Sequence, residues 1–218
     1  MTRRFRLAVP MLAFVAAPLV VGCSSAYYST METFGVHKRD ILVDRVEKGR
    51  EEQEAAKEQF QTTLEAFQEL TTFDGGDLEK LYKKLNKEYE RAQSRADDVT
   101  ERIDSIQEVS DDLFSEWENE IGEMANADLK GKSEQMMKDT LGRYEQLIGK
   151  MRGAEAKMEP VLAEFRDHVT FLKHNLNAQA ISSLRDTSIA IEGEVSSLVQ
   201  EMQASIEEAD AFISAMST

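Results

Sequence analysis

The feature that most constrains the fold is an unbroken apolar stripe between Leu78 and Met124. Within it, apolar side chains recur at steps of three and four residues, and no proline intervenes. Such spacing over several heptads is typical of a coiled coil or a long bundle helix. Turn residues and β-branched runs are too few elsewhere for a sheet-based fold. The sequence therefore predicts an all-α protein, an elongated antiparallel helical bundle or coiled coil of about four long helices.

Turn residues divide this helical body. Gly75 and Gly76 predict a tight turn, because glycine readily adopts a positive φ, and Asp77 is the predicted N-cap of the helix that follows. A second turn is predicted within residues 126–133, with Ser133 as the cap of the third helix.

The break before the last helix is predicted from a drift of the apolar stripe. From Leu172 to Leu184 the apolar positions advance by three successive steps of four, which turns the stripe by about 120° around a helix. A break at Asn175–Asn177, with Asn177 as the new cap, avoids this drift. One continuous helix after Ser133 is the alternative, since no Gly or Pro separates the two segments.

Pro160 is predicted to kink the third helix by removing one hydrogen bond. The predicted helices span about residues 34–73, 77–125, 133–176 and 178–216.

The N-terminus has the pattern of a secretory signal. Arginines precede the apolar run Leu7–Val21, which is short for a membrane span, and Gly22 and Cys23 follow it. The end of this run resembles the lipobox of bacterial lipoproteins, whose cysteine is acylated by fatty acids such as palmitate and becomes the new N-terminus. We therefore expect a signal peptide at residues 1–22, lipidation at Cys23 and a tether at residues 23–33. An ordinary signal peptide with an incidental cysteine and an uncleaved inner-membrane anchor are the alternatives.

The resemblance to lipoproteins and the charge of the chain lead to an expected location. Ser24, in place of an Asp, is typical of lipoproteins that are moved to the outer membrane. The net charge of −15 argues against nucleic acid as a partner and predicts repulsion from anionic headgroups. We therefore expect a protein of the cell envelope, anchored by lipid in the outer membrane and extending into the periplasm.

No motif for catalysis or for a cofactor is present. A single cysteine excludes a disulfide framework and a cysteine-based zinc site. Glu164 and His168 share a helix face and could hold a metal, but a surface ion pair is the favoured interpretation. The sequence thus predicts no catalytic residue, no metal site and no cofactor.

The start of the first helix is a candidate interaction surface. Residues 34–46 carry apolar side chains on two sides of a helix, whereas the later helices are apolar mainly on one. Phe34, Ile41 and Leu42 are the hypothesised contact residues, and a second copy or another envelope protein would dock there. The alternative is that the fourth helix covers the second side.

Three strings of residues indicate a family. Lys38–Glu47, Asp74–Leu78 and Phe171–Ala180 resemble a bacterial family of predicted lipoproteins with a domain of unknown function, over nearly all of residues 30–215. The resemblance implies an all-helical envelope protein and supplies no activity or ligand. A non-enzymatic structural or adaptor protein with a long helical interaction surface is the favoured function. A carrier that opens its bundle around an apolar or lipid ligand is the alternative, and an enzyme is the least favoured.

Overall fold

The computed structural model describes residues 37–75 and 77–217, except for the side chain of residue 186. These residues form four helices, α1 (Lys38–Thr71), α2 (Leu78–Glu123), α3 (Ala127–His174) and α4 (Ala178–Met216). No strand occurs in the described ranges, which confirms the prediction of an all-α fold. The predicted signal peptide and tether lie outside them.

Side-chain caps define the helix starts. Asp77 Oδ1 accepts a hydrogen bond from the Lys80 amide at 3.1 Å, and Asn177 Oδ1 accepts one from the Ala180 amide at 3.0 Å. Both N-caps are as predicted, and the break at Asn177 shows that α3 and α4 are separate helices. The backbone amides of the first helical turn have no partner within the helix, and such side-chain acceptors stabilise them.

The predicted cap of the third helix was wrong. Asn126 Oδ1 accepts hydrogen bonds from the amides of Asp128 and Leu129 at 3.0 and 3.1 Å, so α3 begins at Ala127. Ser133 lies inside α3, and its hydroxyl oxygen accepts a hydrogen bond from Trp117 Nε1 of α2 at 2.9 Å. Its side chain is therefore used between helices and not at a helix end.

The four helices pack as an up-down-up-down bundle. α1 packs against α2 and α4, and α3 packs against the same two helices on the opposite side. Polar contacts fix the antiparallel order: Lys38 meets Glu116 near the start of α1, and Gln59 meets Glu88 further along. Short turns between successive helices favour this arrangement.

The core of the bundle follows a heptad stripe along α1. Its buried positions advance by alternating steps of four and three: Leu42, Val46, Gly49, Gln53, Ala56, Phe60, Thr63, Phe67 and Leu70. Phe67 reaches across the bundle to Phe165 of α3, with ring centroids 6.4 Å apart in an edge-to-face arrangement. The buried apolar cluster thus joins all four helices along the length of the bundle.

Pro160 lies within α3, and the helix continues on both sides of it. Both Pro160 and Ala156, whose carbonyl the ring leaves without an amide partner, are exposed. Water can therefore satisfy that carbonyl, which explains why the helix tolerates the proline.

Candidate functional site

The unequal lengths of the helices create the candidate site. α2 and α3 have 46 and 48 residues, whereas α1 and α4 have 34 and 39. Lys38 Nζ lies 2.9 Å from Glu116 Oε2, so α1 begins beside Glu116 while α2 continues to Glu123. At 1.5 Å per residue, α2 and α3 extend about 10 Å beyond this point as a two-helix hairpin. We call residues 118–135 the hairpin tip.

The apolar inner face of α3 continues into this hairpin without cover. From the buried Leu147 and Met151, steps of three and four lead back through Tyr144, Thr140, Met136, Ser133 and Leu129. Tyr144 is buried, but Met136 is 62% exposed and Leu129 is 57% exposed. Met124, at the end of α2, is 37% exposed. These exposed apolar side chains border the core register of α3, whose own positions Met137 and Ser133 are half-buried here.

An open groove of about 730 Å³ lies where the covering helices end. We call it the end groove and define it by His37, Leu113, Trp117, Met136 and Met216, which come from all four helices or their caps. The ion pair between Lys38 and Glu116 borders it. Apolar side chains rimmed by charges are typical of a binding surface.

Below the groove the bundle closes on an aromatic pair. The rings of Phe114 and Tyr144 lie 5.8 Å apart, and Tyr144 is buried. Burial raises the pKa of the Tyr144 phenol above its ordinary value. The end groove itself combines apolar lining residues such as Leu113 and Met216 with charged ones such as Lys38 and Glu116.

Among the described residues, the predicted interaction surface is buried and not exposed. Ile41 is 8% exposed and Leu42 is fully buried, and both belong to the core. The physical reason is that α1 packs against α2 on one side and α4 on the other, so both apolar sides are covered. Phe34, the third predicted contact, lies outside the described residues.

Two other predicted sites concern residues at or beyond the limits of the described ranges. Cys23 lies outside the described residues, and so does Gly76 of the predicted turn. Gly75 has a φ of +151°, a conformation that side-chain-bearing residues rarely adopt, which fits its place between α1 and α2.

None of the four described helices has an apolar stretch long enough to cross a membrane.

The Glu164–His168 pair is not the predicted surface ion pair. His168 is buried, its ring stacks on Phe67 with centroids 4.8 Å apart, and its Nε2 lies 3.8 Å from Glu164 Oε2. Burial lowers the pKa of His168, while Glu164 and Asp167 raise it less. The ring is therefore neutral at pH 7 and serves packing. Among the described residues, no three His, Cys, Asp or Glu side chains are grouped to hold a metal ion.

Met136 differs in its surroundings from the methionines further along the bundle. Met151, Met158 and Met202 are buried, but Met136 is exposed at the level where α1 and α4 end. Leu129, which is exposed at the same end, was missed by sequence reasoning. A comparison of the predicted helix lengths could have found both, since stripes on two long helices outrun two shorter partners.

The fold and the groove define a class of protein: an elongated four-helix bundle with a projecting two-helix end. The chain belongs to the family described as protein of unknown function (DUF2959), whose model matches residues 27–216. No curated protein and no solved structure is similar enough to match.

Proposed function

We propose that this chain is a non-enzymatic adaptor of the bacterial envelope, anchored by lipid at Cys23 in the outer membrane and facing the periplasm. The hairpin tip is its docking surface for a partner protein. The observation that supports this function is the exposure of the apolar side chains Met124 and Leu129 at the hairpin tip, at one end of a bundle whose core is filled. Exposed apolar side chains clustered at one place mark interaction sites.

The charges at the hairpin tip support a protein partner. Glu118, Glu120 and Glu123 lie on the α2 side, and the α3 side carries Lys130 and Lys132 together with Asp128 and Glu134. Both signs of charge therefore flank the apolar residues, as at the rim of a protein–protein interface. Charges of both signs orient a partner, because only some orientations place its own charges opposite complementary ones.

Cross-linking in native membranes tests the docking surface. Leu129→Glu places a charge at the tip, and Ile189→Glu is the matched control because Ile189 is 78% exposed on α4, away from the tip. We expect wild type and Ile189→Glu to give the same discrete cross-linked partner, and Leu129→Glu to lose it. Equal capture by both variants contradicts the proposal. A co-purified lipid without any partner supports a carrier instead.

A separate experiment tests the anchor. Cys23→Ser removes the only cysteine of the chain, so the precursor should stay uncleaved and unlabelled by a fatty-acid probe. Gel mobility and probe labelling of the two proteins provide the comparison. Normal processing of the variant would show that Cys23 is not the lipidation site.

A further inference from the structure

The described chain begins inside the end groove. His37, the residue before α1, is one of its lining residues, so whatever precedes His37 leaves from the groove itself. Trp117 and Met136 line the same groove with their apolar side chains partly or largely exposed. The segment that precedes α1 is therefore covalently held next to an uncovered apolar surface.

The ten residues before His37 belong to the family domain, because the family match starts at residue 27. Their composition suits an apolar groove: Tyr27, Tyr28, Met31, Phe34 and Val36 are apolar or aromatic. Glu32 is their only charged residue. Aromatic side chains have the largest apolar surface to bury and therefore the largest gain from such a groove.

A helical extension of α1 would turn only some of these side chains toward the bundle. The heptad that buries Leu42 and Val46 would place Gly35 and Arg39 at the corresponding earlier positions. Phe34, one heptad before the buried Ile41, and Tyr28, two heptads before the buried Leu42, would lie on the bundle side. Whether helical or extended, the segment starts at His37 beside the end groove, which is its adjacent apolar surface.

The reach of the segment is sufficient. Ten residues span up to about 33 Å when extended, whereas the hairpin continues only about 10 Å past the start of α1. We propose that residues 27–36 dock in the end groove of their own chain, with aromatic side chains against Trp117 and Met136.

Docking changes how the protein is held at a membrane, a consequence that rests on lipidation at Cys23. An undocked tether of residues 24–36 allows the bundle to stand up to about 45 Å from its anchor. With residues 27–36 docked, only residues 24–26 stay free, and they span about 10 Å. The hairpin tip is then kept beside the membrane, and its partner must be found there.

Proteolysis of the full chain in detergent tests the docking. Chymotrypsin cuts after aromatic residues, and mass spectrometry follows cleavage at Tyr27, Tyr28 and Phe34. Met136→Lys puts a charge in the groove, whereas Ile189→Lys is the matched control at another exposed apolar position. Met136 is exposed among the described residues, so the bundle itself tolerates this change. We expect Met136→Lys to raise cleavage within the segment severalfold and Ile189→Lys to leave it unchanged; equal cleavage overturns the proposal.

Fluorescence gives a second measurement from the groove side. Trp117 is the only tryptophan, so acrylamide quenching reports its accessibility directly. Phe34→Ser should at least double the quenching constant at unchanged helicity, whereas no change overturns the proposal. Shielding that disappears on dilution identifies a second copy as the occupant, and shielding that requires phospholipid vesicles identifies lipid; either also overturns it. Cys23→Ser should keep the wild-type quenching, so failure of the anchor and failure of the docking are distinguishable.

Discussion

Gln53 is the residue at which polarity and burial conflict most directly. It occupies a core position of the α1 stripe and is fully buried, yet neither its Nε2 nor its Oε1 has a hydrogen-bond partner among the described residues. A buried polar group left without a partner costs about 1–3 kcal/mol. Gln53 therefore lowers stability where an apolar residue would add to it, although a polar core residue can also help to specify helix register.

We predict that Gln53→Met raises the free energy of unfolding by about 1–2 kcal/mol, because methionine fills a similar volume without an unpaired amide. Gln59→Met is the matched control on the same helix. The Gln59 amide donates to Glu88 Oε2 at 3.0 Å, so its loss should lower stability. Urea denaturation measures both, and a loss of stability in Gln53→Met contradicts the prediction.

His168 gives the bundle a pH-dependent component. Burial against Phe67 lowers the pKa of the folded-state imidazole below the unfolded value of about 6.5, even though Glu164 and Asp167 oppose the shift. As pH falls through the unfolded value, the unfolded chain takes up a proton before the folded one does. This contribution therefore lowers stability from about pH 7 downward until the folded-state pKa is reached.

We predict that His168→Leu loses less stability than wild type between pH 7.5 and pH 5. Leucine cannot bind a proton, so the destabilising difference in protonation at this position is removed. Urea denaturation at both pH values gives the comparison, and carboxylates elsewhere contribute equally to the two proteins. A steeper loss in the variant would mean that Glu164 stabilises a charged His168.

At the scale of the helices, Gly49 allows α1 to approach its neighbours closely. A Cβ at this position would lie 2.8 Å from Ile106 Cδ1 of α2 and 3.0 Å from Met151 Cε of α3. Both distances are shorter than ordinary van der Waals contact. A single methyl group could be accommodated by shifts of these flexible side-chain ends, but a branched side chain could not.

We predict that Gly49→Val lowers the free energy of unfolding by about 2 kcal/mol, because overpacking exceeds the gain in helix propensity. Gly149→Val is the matched control. Gly149 lies on an exposed helical face, where a Cβ would meet no neighbouring atom within 4 Å, so its effect should stay within about 0.5 kcal/mol. Thermal melts of the two variants provide the comparison, and equal effects contradict the role of Gly49.

The sequence predicts the helices themselves more completely than the contacts between them. The apolar stripe and the caps Asp77 and Asn177 were enough to predict four helices and the break before α4. Ser133 was misassigned as a cap because its hydrogen bond to Trp117 depends on a second helix. Cap residues act within one turn and can be read locally, whereas interhelical hydrogen bonds cannot.

The same distinction explains the candidate site. Burial of Ile41 and exposure of Met136 both depend on where α1 and α4 lie and end, which no stripe on a single helix records. The periodicity of each helix identifies its inner face, but whether another helix covers that face depends on the assembled bundle. The end groove therefore emerges only from the lengths of all four helices together.

At the scale of the whole molecule, the long helices and short turns produce a rod. The 48 residues of α3 extend about 70 Å, and α2 is nearly as long. α1 and α4 run alongside these two helices, so the whole bundle is elongated and not compact. A rod holds its two ends far apart, so a partner at the hairpin tip is well separated from the turns at the opposite end.

We predict that small-angle scattering distinguishes this rod from a compact domain. A globular chain of this size has a radius of gyration of about 16 Å, whereas a uniform rod about 70 Å long has one of about 20 Å. The protein without residues 1–23 should give a value near or above 20 Å at the mass of a monomer, with high helicity by circular dichroism. Extrapolation to low concentration removes any contribution from association. A monomer near 16 Å would mean that the helices fold back on themselves in solution, because only shorter helical segments can fit within that radius.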